Sequence, residues 1–150
     1  MSNNTFVYVT YIRTTPEKLW EALTEPEFQQ QYFLGAQMQS GWKKGSDWKI
    51  VFPDGSIADS GEILDVDPPK RLVIKWRSEW MPEVKADGYT TCTFAIEQEG
   101  EMMKLAVTHG ADGPHKLLEH VARGWPLILS SLKSLLETGK GLSRPASKAA

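Results

Sequence analysis

The sequence predicts an α+β domain in which a strongly curved antiparallel sheet wraps around one long C-terminal helix. Three observations predict it. Period-two alternation of apolar and polar residues dominates from about residue 36 to residue 109. A strongly apolar stretch of helical periodicity follows, from about His115 to Glu137. Immediately after the first strand-like segment comes Thr14-Thr15-Pro16-Glu17, a helix start. A chain of 150 residues with 41% hydrophobic residues can bury one core without staples, so a single domain over residues 1–141 is expected, with a small, polar tail at 142–150.

Between Thr5 and Arg13 the residues are rich in Val, Tyr, Ile and Thr, which suit a strand. Thr15 is placed to cap the next helix and Pro16 to occupy its first position, where the missing N–H costs nothing. Leu19, Trp20 and Leu23 share one face of this helix, and Trp20 is expected to wedge into the core. Pro26 ends it, and Glu27 to Phe33 forms a second short helix.

Trp48, Ile50 and Phe52 alternate with Lys49 and Val51, and Pro53-Asp54-Gly55 turns the chain. Ile57 to Val66 is the next strand, closed by Asp67-Pro68-Pro69. In the strand after it, Leu72, Ile74, Trp76, Ser78 and Trp80 alternate with Val73, Lys75, Arg77 and Glu79. Thr90 to Glu97 and Met102 to His109 form a hairpin around Gly100. The long helix then carries Leu118, Val121, Trp125, Ile128, Leu132 and Leu135 on one face.

That helix contains Gly124-Trp125-Pro126. An interior proline removes a hydrogen bond and crowds the preceding turn, at a cost of roughly 3 kcal/mol, so a kink is expected here, and a kinked helix over a curved sheet leaves room for a pocket. Its inward set comprises Trp48, Ile50, Phe52, Leu72, Ile74, Trp76, Phe94, Ile96, Leu105, Val107 and His109, facing Trp125 and Ile128. With Trp80, the cavity-lining candidates are Trp48, Ile50, Phe52, Ile74, Trp76, Trp80, Phe94, Leu105, Val107, His109, Trp125 and Ile128.

Composition removes several function classes. A net charge of −2, from 17 basic and 19 acidic residues, lacks the basic footprint of a nucleic-acid binder. No run approaches the ~20 apolar residues of a membrane span. The start, MSNNTFVYVTYI, lacks the charged n-region and long apolar run of a secretory signal, and the single cysteine, Cys92, suits a reducing compartment, so a cytoplasmic protein is expected. The three histidines, His109, His115 and His120, show no HxH or HExxH spacing, so neither a metal nor another cofactor is expected. No GxSxG elbow occurs and Cys92 has no histidine nearby in sequence, which leaves no candidate nucleophile.

General acid–base chemistry leaves two alternatives open. His109 shares the alternation of Leu105 and Val107, so it either reaches the cavity mouth as an acid or base or closes its strand by hydrogen bonding. Asp59 and Glu62 border the same space on faces the pattern does not fix, and Tyr89 and Arg77 are further polar candidates. No catalytic residue is assigned.

Four stretches carry a family resemblance: TPEKLWEALT with Pro26-Glu27, GEILDVDPP at residues 61–69 running into Arg71-Leu72, Leu105 to His109, and Gly124-Trp125 with the leucine-rich helix. Together the chain resembles the START-like (SRPBCC, birch-pollen-allergen-like) superfamily with the helix-grip fold. Within it, the chain is similar to the family named after the activator of heat-shock protein 90 ATPase, in the part corresponding to the C-terminal domain of the eukaryotic members. The resemblance implies a cavity between sheet and helix that holds a small hydrophobic or amphipathic molecule. A non-catalytic binding role leads. A cyclase- or hydrolase-type enzyme, or a stress-related module with a chaperone partner, are the alternatives, and a homodimer fits the superfamily.

Overall fold

A computed structural model of the protein describes residues 4–33 and 35–142. Most of the tail expected at 142–150 therefore lies outside the described residues. The chain begins with β1 (Thr5–Ile12), α1 (Pro16–Thr24) and α2 (Pro26–Tyr32), continues through β2 (Gln37–Ser40), β3 (Asp47–Val51), β4 (Ile57–Asp67) and β5 (Arg71–Ser78), and passes a single helical turn, α3 (Pro82–Lys85). It closes with β6 (Thr90–Glu99), β7 (Met102–Gly110) and α4 (Lys116–Thr138). Among the described residues the seven strands form one antiparallel sheet in the order β1-β7-β6-β5-β4-β3-β2. The first strand thus returns beside the last, and every other neighbour is a hairpin or meander connection.

Local chemistry explains the helix starts. Thr15 Oγ1 accepts from the Lys18 amide at 3.1 Å, and Pro16 and Pro26 open α1 and α2. The buried Gln29 binds both ends of the next connection. Its amide nitrogen donates to Leu23 O at 2.7 Å, and its oxygen accepts from the Met38 amide at 2.6 Å. Tyr32 adds a bond from its hydroxyl to Ala22 O at 2.8 Å. These contacts fix α1, α2 and β2 to one another.

The core lies between the concave face of the sheet and α4. It contains Leu72, Ile74 and Trp76 of β5, Cys92, Phe94 and Ile96 of β6, Leu105, Val107 and His109 of β7, and Leu117, Trp125, Leu129, Leu132 and Leu135 of α4. Gly61 makes one packing arrangement possible. It stands between Trp48 and Trp76 in register on adjacent strands, and the two indoles meet at 4.5 Å between ring centroids. A Cβ at Gly61 would run into the carbonyl of Lys75.

Several expectations change. The alternation of β5 stops at Ser78, and Trp80 belongs to the bend that follows, 57% exposed. Trp20 packs against the core as expected but stays half-buried. The core stripe of α4 runs through Leu117 and Leu129, with Leu118 only half-buried. The helix itself is continuous through Gly124-Trp125-Pro126, from His115, whose ring caps the Leu117 amide, to Gly139 at its C-cap with φ +89°. The short β2 and α3 add to the expected elements.

Candidate functional site

A cavity of about 270 Å³ opens between the β3–β5 end of the sheet and the first half of α4. Four parts of the chain build its wall. The sheet supplies Ile50, Phe52, Ala58, Asp59 and Trp76, and the segment after α2 supplies Phe33 and Ala36. The bend after β5 adds Trp80 and Met81. From α4 come Leu117, His120, Val121, Gly124, Trp125 and Ile128. These helical positions recur three or four apart, so they form one stripe along the helix.

Gly124 deepens the cavity on the helix side, since a Cβ built there meets no atom within 4 Å. Ring packing shapes the rest. Trp76 and Trp125 meet edge to face at 5.8 Å and 72°, Phe52 and Trp80 at 5.6 Å and 86°, and Phe33 lies 6.3 Å from Trp125.

Six of the twelve residues singled out from sequence are brought together on this wall: Ile50, Phe52, Trp76, Trp80, Trp125 and Ile128. The other six, Trp48, Ile74, Phe94, Leu105, Val107 and His109, are buried in the filled core beside it and do not line it. Alternation identifies the concave face of a sheet, but only part of that face is left uncovered by other side chains.

His109 is 0% exposed and its ring nitrogens face Thr90 Oγ1 at 2.8 Å and Trp125 Nε1 at 3.4 Å. An indole N–H only donates, so His109 Nδ1 accepts, and Nε2–H donates to Thr90. The Thr90 hydroxyl in turn donates to Trp76 O at 3.1 Å. Burial, aided by the nearby His115, pushes the His109 pKa down to about 3 and keeps the ring neutral. His109 is a satisfied core histidine; its partners are side chains rather than the strand-end backbone.

Asp59 is the polar group that the wall does contain. Its Oδ2 accepts from Trp76 Nε1 at 2.8 Å. Burial raises its pKa to about 7, against the lowering effect of that bond, and the charge of Glu79 raises it further. Among the described residues His120 is the other titratable side chain of the wall, which holds no lysine or arginine. Glu79 already has cations of its own, Arg77 at 2.8 Å and Lys85 at 2.9 Å. Ser78, opposite Asp59 in register, has a buried hydroxyl without a hydrogen-bond partner among the described residues.

The remaining polar candidates point elsewhere. Glu62 pairs in register with Lys75 on the outer face, one residue out of phase with Gly61. Tyr89 is 42% exposed and lies under Lys75 and Arg77 at 4.5 and 4.8 Å. Cys92 is fully buried, and burial pushes its thiol pKa up, so it is not poised as a nucleophile. Among the described residues no three His, Cys, Asp or Glu side chains converge as a metal site, and no helix is long and apolar enough to cross a membrane.

Comparison with known proteins places this architecture. Residues 13–137 match the family model described as Activator of Hsp90 ATPase homolog 1-like protein. The human Activator of 90 kDa heat shock protein ATPase homolog 1 is 31% identical over 113 residues, which cover 75% of this chain but only 30% of the human protein. The crystal structure of DynU16, a protein in the dynemicin biosynthetic locus, superposes with a TM-score of 0.76 at 21% identity, over 93% of this chain and 49% of that one. The Aha1 dimer from Colwellia psychrerythraea superposes at 0.73 with 23% identity, over 91% and 98% of the two chains. Such structural likeness establishes the curved sheet gripping a C-terminal helix.

Proposed function

The chain belongs to the Activator of Hsp90 ATPase homolog 1-like family, and on that premise we propose that its cavity binds a small, largely apolar molecule without transforming it. The observation that carries this reading is the wall itself: five aromatic side chains and a stripe of α4 surround about 270 Å³ of space, with few polar anchors. A covalent or acid–base enzyme needs converging groups. The wall unites Asp59 with neither His109 nor Tyr89, so the acid–base pairs considered from sequence are not assembled.

Native mass spectrometry tests the reading, with the protein as purified and after incubation with a set of small aromatic compounds. A one-to-one adduct lost on denaturation, and absent from a folded Gly124→Phe variant whose new ring occupies the cavity, is the expected result. No adduct, or an equal adduct in the variant, overturns it.

The human relative supports a second reading, contact with a chaperone. The chain spans about a third of that relative, so the whole relative's activity does not transfer with the fold. Stimulation of a purified 90 kDa chaperone's ATPase supports this reading; none at high protein concentration removes it. Self-association is a related proposal, motivated by the Colwellia dimer and by the exposed Val7, Val9 and Tyr11 on the outer face of β1, an edge strand. Light scattering during size-exclusion chromatography decides it: a monomeric mass at high concentration removes the proposal. A cytoplasmic site of action is proposed with the binding role.

A further inference from the structure

Resting on the binding reading above, we propose that the cavity's occupant is an organic cation: a small apolar molecule with one protonated or quaternary amine, held between Asp59 and the aromatic wall. Asp59 is the anchor. One of its carboxylate oxygens is engaged by Trp76 Nε1 at 2.8 Å, and among the described residues the wall offers it no lysine or arginine. Arg77 and Lys85, which flank Glu79, are committed to that carboxylate. An ionised carboxylate in an apolar wall without a counter-ion is costly, and a guest cation removes that cost.

The rings act in the same direction. Phe33, Phe52, Trp76, Trp80 and Trp125 stand around the space, and the 72° and 86° angles within it present π-faces in more than one direction. The ring quadrupole attracts cations, and aromatic walls with a nearby acid suit ammonium groups. An anionic guest would meet the like charge of Asp59 with Glu79 behind it. A neutral guest leaves the carboxylate uncompensated.

The groups that act on Asp59 are Trp76 of β5 and Glu79 just beyond it; His120 of α4 is the other titratable side chain on the wall and is exposed. Asp59 titrates near 7, so charge recognition switches on as the pH rises through that value.

The test uses a pair of probes that differ only in charge, benzyltrimethylammonium and its neutral isostere neopentylbenzene. Their affinities are read by quenching of tryptophan fluorescence at about pH 8, where Asp59 is ionised. The cation is expected to bind at least about tenfold more tightly. Asp59→Asn keeps an acceptor for Trp76, so it should abolish the preference: in the variant the cation binds no more tightly than the neutral probe. Equal or tighter binding of the neutral probe to the unmodified protein overturns the cation inference and leaves the pocket reading standing. Binding of neither probe overturns both. Should Asp59→Asn fail to fold, a pH series on the unmodified protein decides. The preference must fall as the pH drops through about 7, and do so equally in His120→Gln; a flat profile overturns the inference.

Discussion

Trp125 Nε1 donates to His109 Nδ1 across 3.4 Å, joining the middle of α4 to the end of β7. This contact sets the histidine tautomer, and the tautomer sets the direction of the two bonds beyond it, through Thr90 to the backbone of Trp76. One wall of the cavity is thus held by a buried relay of hydrogen bonds.

Removing His109 tests that relay. His109→Ala leaves the Thr90 hydroxyl and the Trp125 indole each short of a partner and opens a void, so the expected loss is about 2–4 kcal/mol in denaturant unfolding. A heteronuclear spectrum of the imidazole should show the proton on Nε2 in the unmodified protein. A proton on Nδ1 would contradict the assignment.

The pH dependence of stability carries two opposed signatures. The folded His109 pKa lies near 3 against an ordinary 6.5, so its contribution is complete above 6.5 and is lost as the pH falls toward 3. Asp59 runs the other way. Its folded pKa near 7 lies above the ordinary 3.8, so its contribution is complete below 3.8 and is lost as the pH rises through 7. The two slopes offset between about pH 4 and 6.5. Asp59→Asn should therefore gain stability at neutral pH and unmask a steep acid-side loss, up to roughly 1.4 kcal/mol per pH unit. A variant whose profile matches the unmodified protein would show that Asp59 is not the opposing group.

Gly124→Ala should raise stability by about 0.5–1 kcal/mol, because alanine is the better helix residue and its Cβ has open space. The same variant should weaken any cavity ligand modestly, and Gly124→Phe should abolish it. Trp125→Ala is the poorer test. Trp125 is 3% exposed and touches Phe33, Trp76 and Phe94, so its removal is expected to cost about 3–5 kcal/mol of fold stability along with any ligand contact.

Gly61→Ala should fail outright. The new methyl would collide with backbone rather than with a side chain that can turn away, so a loss above about 4 kcal/mol or no soluble protein is expected. A variant that melts within a few degrees of the unmodified protein would contradict the close β4–β5 approach.

Much of the fold was legible because its signals are local. Thr15 and Pro16 start α1, Gly100 turns the β6–β7 hairpin, and alternation through Trp76, Phe94 and Val107 marks the concave face. The site was half legible. Six of twelve expected residues line the cavity, but alternation could not separate them from neighbours such as Phe94 that the core covers. Asp59 stayed ambiguous because β4 carries an irregularity between Ile63 and Asp65, which breaks the alternation that would assign faces along the whole strand. The Leu117–Val121–Gly124–Ile128 spacing was available and points at the cavity. Leu118, equally bulky and one position along, stood in the expected stripe where Leu117 belongs, while Leu132 and Leu135 were placed correctly.

The supports of α4 have a mechanical consequence. At its start His115 Nε2 donates to Gly88 O at 3.0 Å and the Lys116 amide to Asp87 at 2.9 Å; from Trp125 onward the helix is embedded in the core. The stretch between, about two turns, crosses the cavity like a beam resting on two piers. So short a span, at about 1.5 Å per residue, has little room to bow. The backbone therefore acts as a fixed gauge for what fits beneath it. Differences in guest size then fall on the rim, where Trp80 is 57% exposed.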